Sequence, residues 1–143
     1  LSCSSAASDV YKRQSLNITR ENPYVLNYLA YSWLERNYKI ELSMEMLKEA
    51  YDLRKNDPYI TDSLGWGYYL INDFENAEKY LKKAVELMPY DPIVNDHYGD
   101  ILWMLNRKIQ ARYFWNNVLN LDETDDEMKI DVKKKIIYGI EKT

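Results

Sequence analysis

The stretch DPYITDSLGWGYYLINDFENAEKYLKKAVELMPYDP, residues 57–92, decides the fold. Asp57-Pro58 opens it, and proline suits a first helical turn. Leu64-Gly65, Tyr68-Tyr69 and Asn72 follow on one helical pattern; Ala77, Tyr80-Leu81 and Ala84 follow on a second. Pro89 and Asp91-Pro92 then break the chain. The spacing predicts helices over 58–71 and 74–87. Working outward, Pro58 recurs as Pro92, Gly65 as Gly99, Asn72 as Asn106 and Ala77 as Ala111, each 34 residues on. A fixed stride of that length is the mark of a repeat architecture whose units bury their cores by stacking.

These residues resemble a tetratricopeptide repeat (TPR): Leu-Gly, an aromatic and Asn on the first helix and its turn, then Ala, aromatic-Leu, Ala and Pro on the second. The resemblance implies an all-α solenoid of helix hairpins. A third unit, with helices at 92–105 and 108–121, keeps Gly99, Leu102, Ala111, Phe114, Trp115 and Val118 in register. An earlier unit begins at Pro23. Its Leu29, Ala30 and Trp33 precede the central unit by 35 residues, its Leu47 and Ala50 by 34. One extra residue in its inter-helix turn, Arg36 to Lys39, accounts for the difference, and turns absorb such insertions cheaply. Gly65 and Ala77 are expected where the two helices of a hairpin approach most closely, so that a larger side chain overpacks the crossing.

The expected organisation is a first repeat over 23–57, a second over 58–91, a third over 92–122 and a capping helix over 123–143. Thr124 and Glu127 have capping-box spacing. Met128, Val132, Ile136 and Ile140 form one apolar stripe, with Lys129, Lys133, Lys134 and Lys135 assigned to the opposite face. A lysine-rich membrane-surface helix is the alternative there, disfavoured by the acidic first turn. Residues 15–22 read as the end of an upstream repeat. Leu1-Ser2-Cys3-Ser4 has the form of a lipobox without a preceding apolar region. Ser4 to Gln14 reads better as the in-frame translation of a transposase-based sequencing adapter, which places the native start near Ser15.

The formal net charge of −4 and pI near 5.1 argue against a phosphate-backbone binder. No apolar run approaches the length of a membrane span, so no direct membrane insertion is expected. The single cysteine excludes an internal disulfide. No Gly-rich phosphate loop, cysteine cluster or nucleophile elbow appears, and no cofactor is implied. His97, the one histidine, has Asp100 one turn away; that pair offers two metal ligands and nothing nearby supplies the rest.

In TPR arrays the first helix of each hairpin lines a groove. By resemblance the groove positions are Tyr24, Asn27, Tyr28 and Tyr31; then Tyr59, Asp62, Ser63, Trp66 and Tyr69; then Asp96, His97, Asp100 and Trp103. Such a surface is aromatic and acidic, and aromatics act as interface anchors. The expected activity is non-enzymatic binding of a partner protein's peptide or helix, one of basic character if the carboxylates meet it. The family's carboxylate clamp needs Lys where Asp62 and Asp96 stand, which argues against a chaperone-tail receptor. Two other readings stay open. Asn27, Asp62 and Asp96 share one repeat position and could hydrogen-bond between adjacent helices. The whole array could instead be structural or oligomerising, its aromatics serving as packing. Residues 22–121 further resemble the C-terminal part of a group of bacterial TPR proteins, many of which look exported; this implies a bacterial protein and leans toward the envelope.

Overall fold

The computed structural model describes residues 22–141; the adapter-like segment and the residues before Asn22 lie outside them. Seven helices are described: α1 (Pro23–Glu35), α2 (Ile40–Leu53), α3 (Pro58–Leu70), α4 (Phe74–Leu87), α5 (Pro92–Met104), α6 (Lys108–Asn120) and α7 (Asp126–Tyr138). Among the described residues there is no strand, and no helix is long and apolar enough to cross a membrane. The chain divides into two compact units between Lys55 and Asn56.

The first unit is the α1–α2 hairpin. Asn22 caps α1 by accepting from the backbone N–H groups of Tyr24 and Val25. Leu26, Ala30 and Leu34 of α1, and Met46, Leu47 and Ala50 of α2, are buried. The turn between the helices has four residues, with Asn37 and Lys39 in the left-handed region. The later turns have three, with Asn72 and Asn106 at φ of 62° and 63°. Asn tolerates that conformation better than most residues, which explains its recurrence at these corners.

The second unit holds the α3–α4 and α5–α6 hairpins and α7. Its helix starts repeat one device. Asp57, Asp91 and Asp125, spaced by the repeat stride, accept from the backbone N–H groups of Ile60, Val94 and Met128 at 2.8–3.0 Å. The glycines permit the hairpin crossings. A Cβ on Gly65 would lie 2.7 Å from Leu81 Cγ and 2.9 Å from the Leu81 backbone N; one on Gly99 would lie 2.5 Å from the Trp115 ring. Leu81, Ala84, Val94, Ile101, Leu102, Ala111, Trp115, Val118 and Val132 form a continuous buried core.

Helix α7 occupies the place of a hairpin's first helix. It starts one repeat stride after α5 and packs on α6 through Val132, with Met128 and Ile136 against the core. Lys133 stands where α3 and α5 carry Gly65 and Gly99. Two expectations are corrected. The cap of α7 is Asp125, not a Thr124–Glu127 box; Thr124 is buried and donates through Oγ1 to the Val118 carbonyl at 2.6 Å. Lys135 does not share the solvent face of Lys133 and Lys134, for its ammonium reaches back to α5.

Candidate functional site: the shared face of α3 and α5

Of the groove positions on α1, Tyr24 and Tyr28 are exposed, Tyr28 at 77%. Asn27 and Tyr31 are half-buried, and the Asn27 side-chain oxygen has no hydrogen-bond partner among the described residues.

The positions in the second unit come together on α3 and α5, where they serve different ends. Tyr59 is exposed at 57%. Trp66, two turns further along α3, is half-buried and stacks with Tyr69 at 4.5 Å between ring centroids and with His97 at 4.0 Å. His97 is itself buried, with Nδ1 3.0 Å from both oxygens of Asp62. An acceptor-only carboxylate requires the proton on Nδ1. Burial alone would lower the imidazole pKa; Asp62, with Asp100 and Asp96 further off, outweighs it and raises the value. Ser63 is buried beside this pair in sequence.

One repeat later, Asp96 and Asp100 share a single ammonium. Lys135 Nζ lies 2.8–2.9 Å from both oxygens of each and donates to the two carboxylates. Asp100 also accepts from Trp115 Nε1 at 3.0 Å. Burial, and then the charge of Asp96, push the Asp100 carboxyl up to about 6 against the opposing pull of Lys135. Burial also raises the Tyr69 hydroxyl, helped by Asp100 and Asp96. Lys135, whose burial alone would lower its pKa, is held protonated by the two carboxylates and ends above its ordinary value.

Trp103 is buried. Its Nε1 donates to the Ile140 carbonyl at 3.0 Å, and Gly139 lies so close that a Cβ there would sit 1.9 Å from the indole. Gly139 has φ of 74°, which suits glycine.

The expectation that Asp62, Asp96 and Asp100 recruit a basic residue from a partner is therefore corrected. Each is already engaged within the chain, by His97 or by Lys135. Trp103 is likewise corrected from groove lining to packing. The hydrogen-bonding alternative for the shared repeat position describes Asp62 and Asp96: each takes a donor from the next first helix, His97 or Lys135. Sequence reasoning missed Lys135, 39 residues beyond Asp96. Among the described residues no group of three or more His, Cys, Asp or Glu is placed to hold a metal ion.

No protein-family model matches the chain. A 61-residue stretch is 34% identical to a TPR repeat-containing protein of Pseudomonas aeruginosa, covering 43% of this chain. The chain spans about 10% of the length of that curated relative. The structure resembles a thermophilic TPR protein of Thermus thermophilus, with a TM-score of 0.73 at 17% identity over 87% of this chain and 69% of that one. The shared stride and hairpin geometry decide the matter. The chain has the tetratricopeptide-repeat fold. Two further TPR structures share the fold. The first TPR of Spaghetti bound to an HSP90 peptide gives a TM-score of 0.68 at 18% identity, covering 80% of this chain and 90% of that one. SycD, a type III secretion translocator chaperone of Yersinia enterocolitica, gives 0.70 at 15% identity, covering 82% and 90%. The face shared by α3 and α5 thus combines an internally hydrogen-bonded polar floor with a partly open ring stack.

Proposed function

We propose that this protein is a non-enzymatic interaction module, and that the α3–α5 face of the second unit receives an extended or helical segment of a partner protein. The observation that carries the reading is the Trp66 stack. Tyr69 and His97 hold the indole flat, Asp62 fixes His97 beneath it, and Tyr59 stands exposed on the same side of α3. A rigid aromatic platform gives large contact area at low entropic cost, which is how interface anchors work. Asp62, Asp96 and Asp100 are hydrogen-bonded within the chain, so the rings carry the contact. Tyr24 and Tyr28 offer comparable contacts on α1 of the first unit. A neighbour bound to an HSP90 peptide supports peptide binding as a use of the fold.

The test is selection of peptides from a displayed library on the intact protein, followed by affinity measurement on Trp66→Ala and Tyr59→Ala. Affinity is expected to fall at least about tenfold in Trp66→Ala with helicity unchanged. Unchanged affinity in both variants contradicts the assignment. A structural or oligomerising array is the second reading; the burial of Trp103 beneath Gly139 and Ile140 favours it for the α5 end of the face.

A further inference from the structure

A cleft of about 280 Å³ opens between the α4–α5 turn and α6, lined by Pro89, Tyr90, Tyr113, Asn117, Asn120 and Leu121. Tyr113, Asn117 and Asn120 fall at i, i+4 and i+7, along one side of α6. Tyr90 and Tyr113 are exposed at 80% and 62%. Among the described residues, neither the Asn117 nor the Asn120 side chain has a hydrogen-bond partner.

Both rings are presented by fixed backbone. Buried Asn95 donates through Nδ2 to the Pro89 carbonyl at 2.9 Å and to the Asp91 carbonyl at 2.8 Å, so one amide clamps the chain on either side of Tyr90. Tyr113 stands edge-on to Phe114, which is itself edge-on to Tyr98. The lining is also uncharged, a property the repeat does not impose. One stride earlier, the positions of Tyr90, Tyr113, Asn117 and Asn120 hold Asn56, Lys79, Lys83 and Glu86. A phenol and two amides thus replace three charges on a surface where the fold tolerates charge.

We propose that this cleft binds an uncharged, proline-rich segment of a partner protein in the polyproline II conformation. The neutral lining matches a neutral occupant and would leave a charged one without a counter-charge. A helix, about 10–12 Å across, is too wide for it. A β-strand needs a free sheet edge to pair with, and α6 offers none. A polyproline II chain has no internal hydrogen bonds, so its carbonyls take outside donors. The Asn117 and Asn120 amides and the two tyrosine hydroxyls are such donors. From Tyr113 to Asn120 the helix rises about 10 Å, close to the roughly 9 Å of one three-residue polyproline turn. Proline-rich segments dock on aromatic-lined grooves, and one already extended loses little entropy on binding, which a cleft this small requires. This site uses no residue of the Trp66 platform, and the two proposals stand or fall separately.

Titrating the ¹⁵N-labelled full chain with an end-blocked oligoproline peptide is expected to shift the amide signals of Tyr90, Tyr113, Asn117 and Asn120 and to leave the Trp66 indole signal in place. A glycine-serine peptide of the same length is expected to shift none of them. Tyr90→Ala and Tyr113→Ala each weaken oligoproline binding at least about tenfold with helicity unchanged. Asn117→Lys with Asn120→Glu, which restores the charges of the preceding repeat, weakens it likewise. No shift at millimolar oligoproline overturns the proposal, as do shifts centred on Trp66 or undiminished affinity in both tyrosine variants. Shifts at the cleft with a neutral oligosaccharide and none with oligoproline also overturn it, assigning the rings to a sugar.

Discussion

His97 on α5 sets Nδ1 3.0 Å from both carboxylate oxygens of Asp62 on α3, joining two helices that belong to successive hairpins. The pair is nearly dry, and Trp66 stacks on the imidazole. A buried carboxylate and imidazole are tolerated only because each satisfies the other.

Stability should therefore depend on pH through this contact. The folded pKa of His97 lies above its ordinary 6.5, so its contribution is complete below that value and is lost as pH rises through the folded pKa. Asp100, raised from 3.8 to about 6, acts in the same direction over a lower window: stability falls as pH climbs from 3.8 to about 6 and is level above. Urea midpoints are expected to decline from pH 6.5 to pH 8.5. In His97→Gln the decline over that upper range should flatten. An equal slope in the variant assigns the pH dependence elsewhere.

Lys135 bridges two carboxylates with a single charge. Lys135→Met keeps the apolar stem of the side chain and strands Asp96 and Asp100 beside one another. Removing one partner of a buried ionic cluster costs about 3 kcal/mol. Because Asp100 accepts a proton near pH 6, the loss should shrink when denaturation is repeated at pH 5. A loss that is the same at both pH values would show that the ammonium acts through packing alone.

Gly65→Ala tests the hairpin crossing. The added methyl would meet Leu81 side-chain and backbone atoms at 2.7–2.9 Å, and backbone cannot give way as a side-chain tip can. Overpacking of this kind costs about 1–3 kcal/mol, to be read from the thermal or chemical unfolding midpoint. An unshifted midpoint would mean that α3 and α4 separate at no cost.

Much of the architecture was legible because glycine, alanine and asparagine occur where backbone geometry leaves little choice. Gly65 and Ala77 marked a close crossing, Asn72 and Asn106 marked left-handed corners, and the one-residue lag of the first hairpin located its longer turn. The start of α7 was readable by the same counting, since Asp125 follows Asp91 as Asp91 follows Asp57; the acidic run around it suggested a capping box instead. The candidate site was less legible. Position in the repeat identified Asp62 and Asp96 as equivalent. It did not show that His97 and Lys135 would take them, because cation reach depends on helix rotation and side-chain length. Trp103 was assigned to the groove for its register, and nothing in that register reported that Gly139 and Ile140 fold over it.

The most direct test is long-range ¹H–¹⁵N NMR of the imidazole across a pH titration; the chain has a single histidine, so the signal needs no assignment. The account predicts a proton held on Nδ1 and a titration midpoint above 6.5, moving down in Asp62→Asn. A neutral ring protonated only on Nε2, or a midpoint at or below 6.5 that Asp62→Asn leaves unchanged, would contradict it.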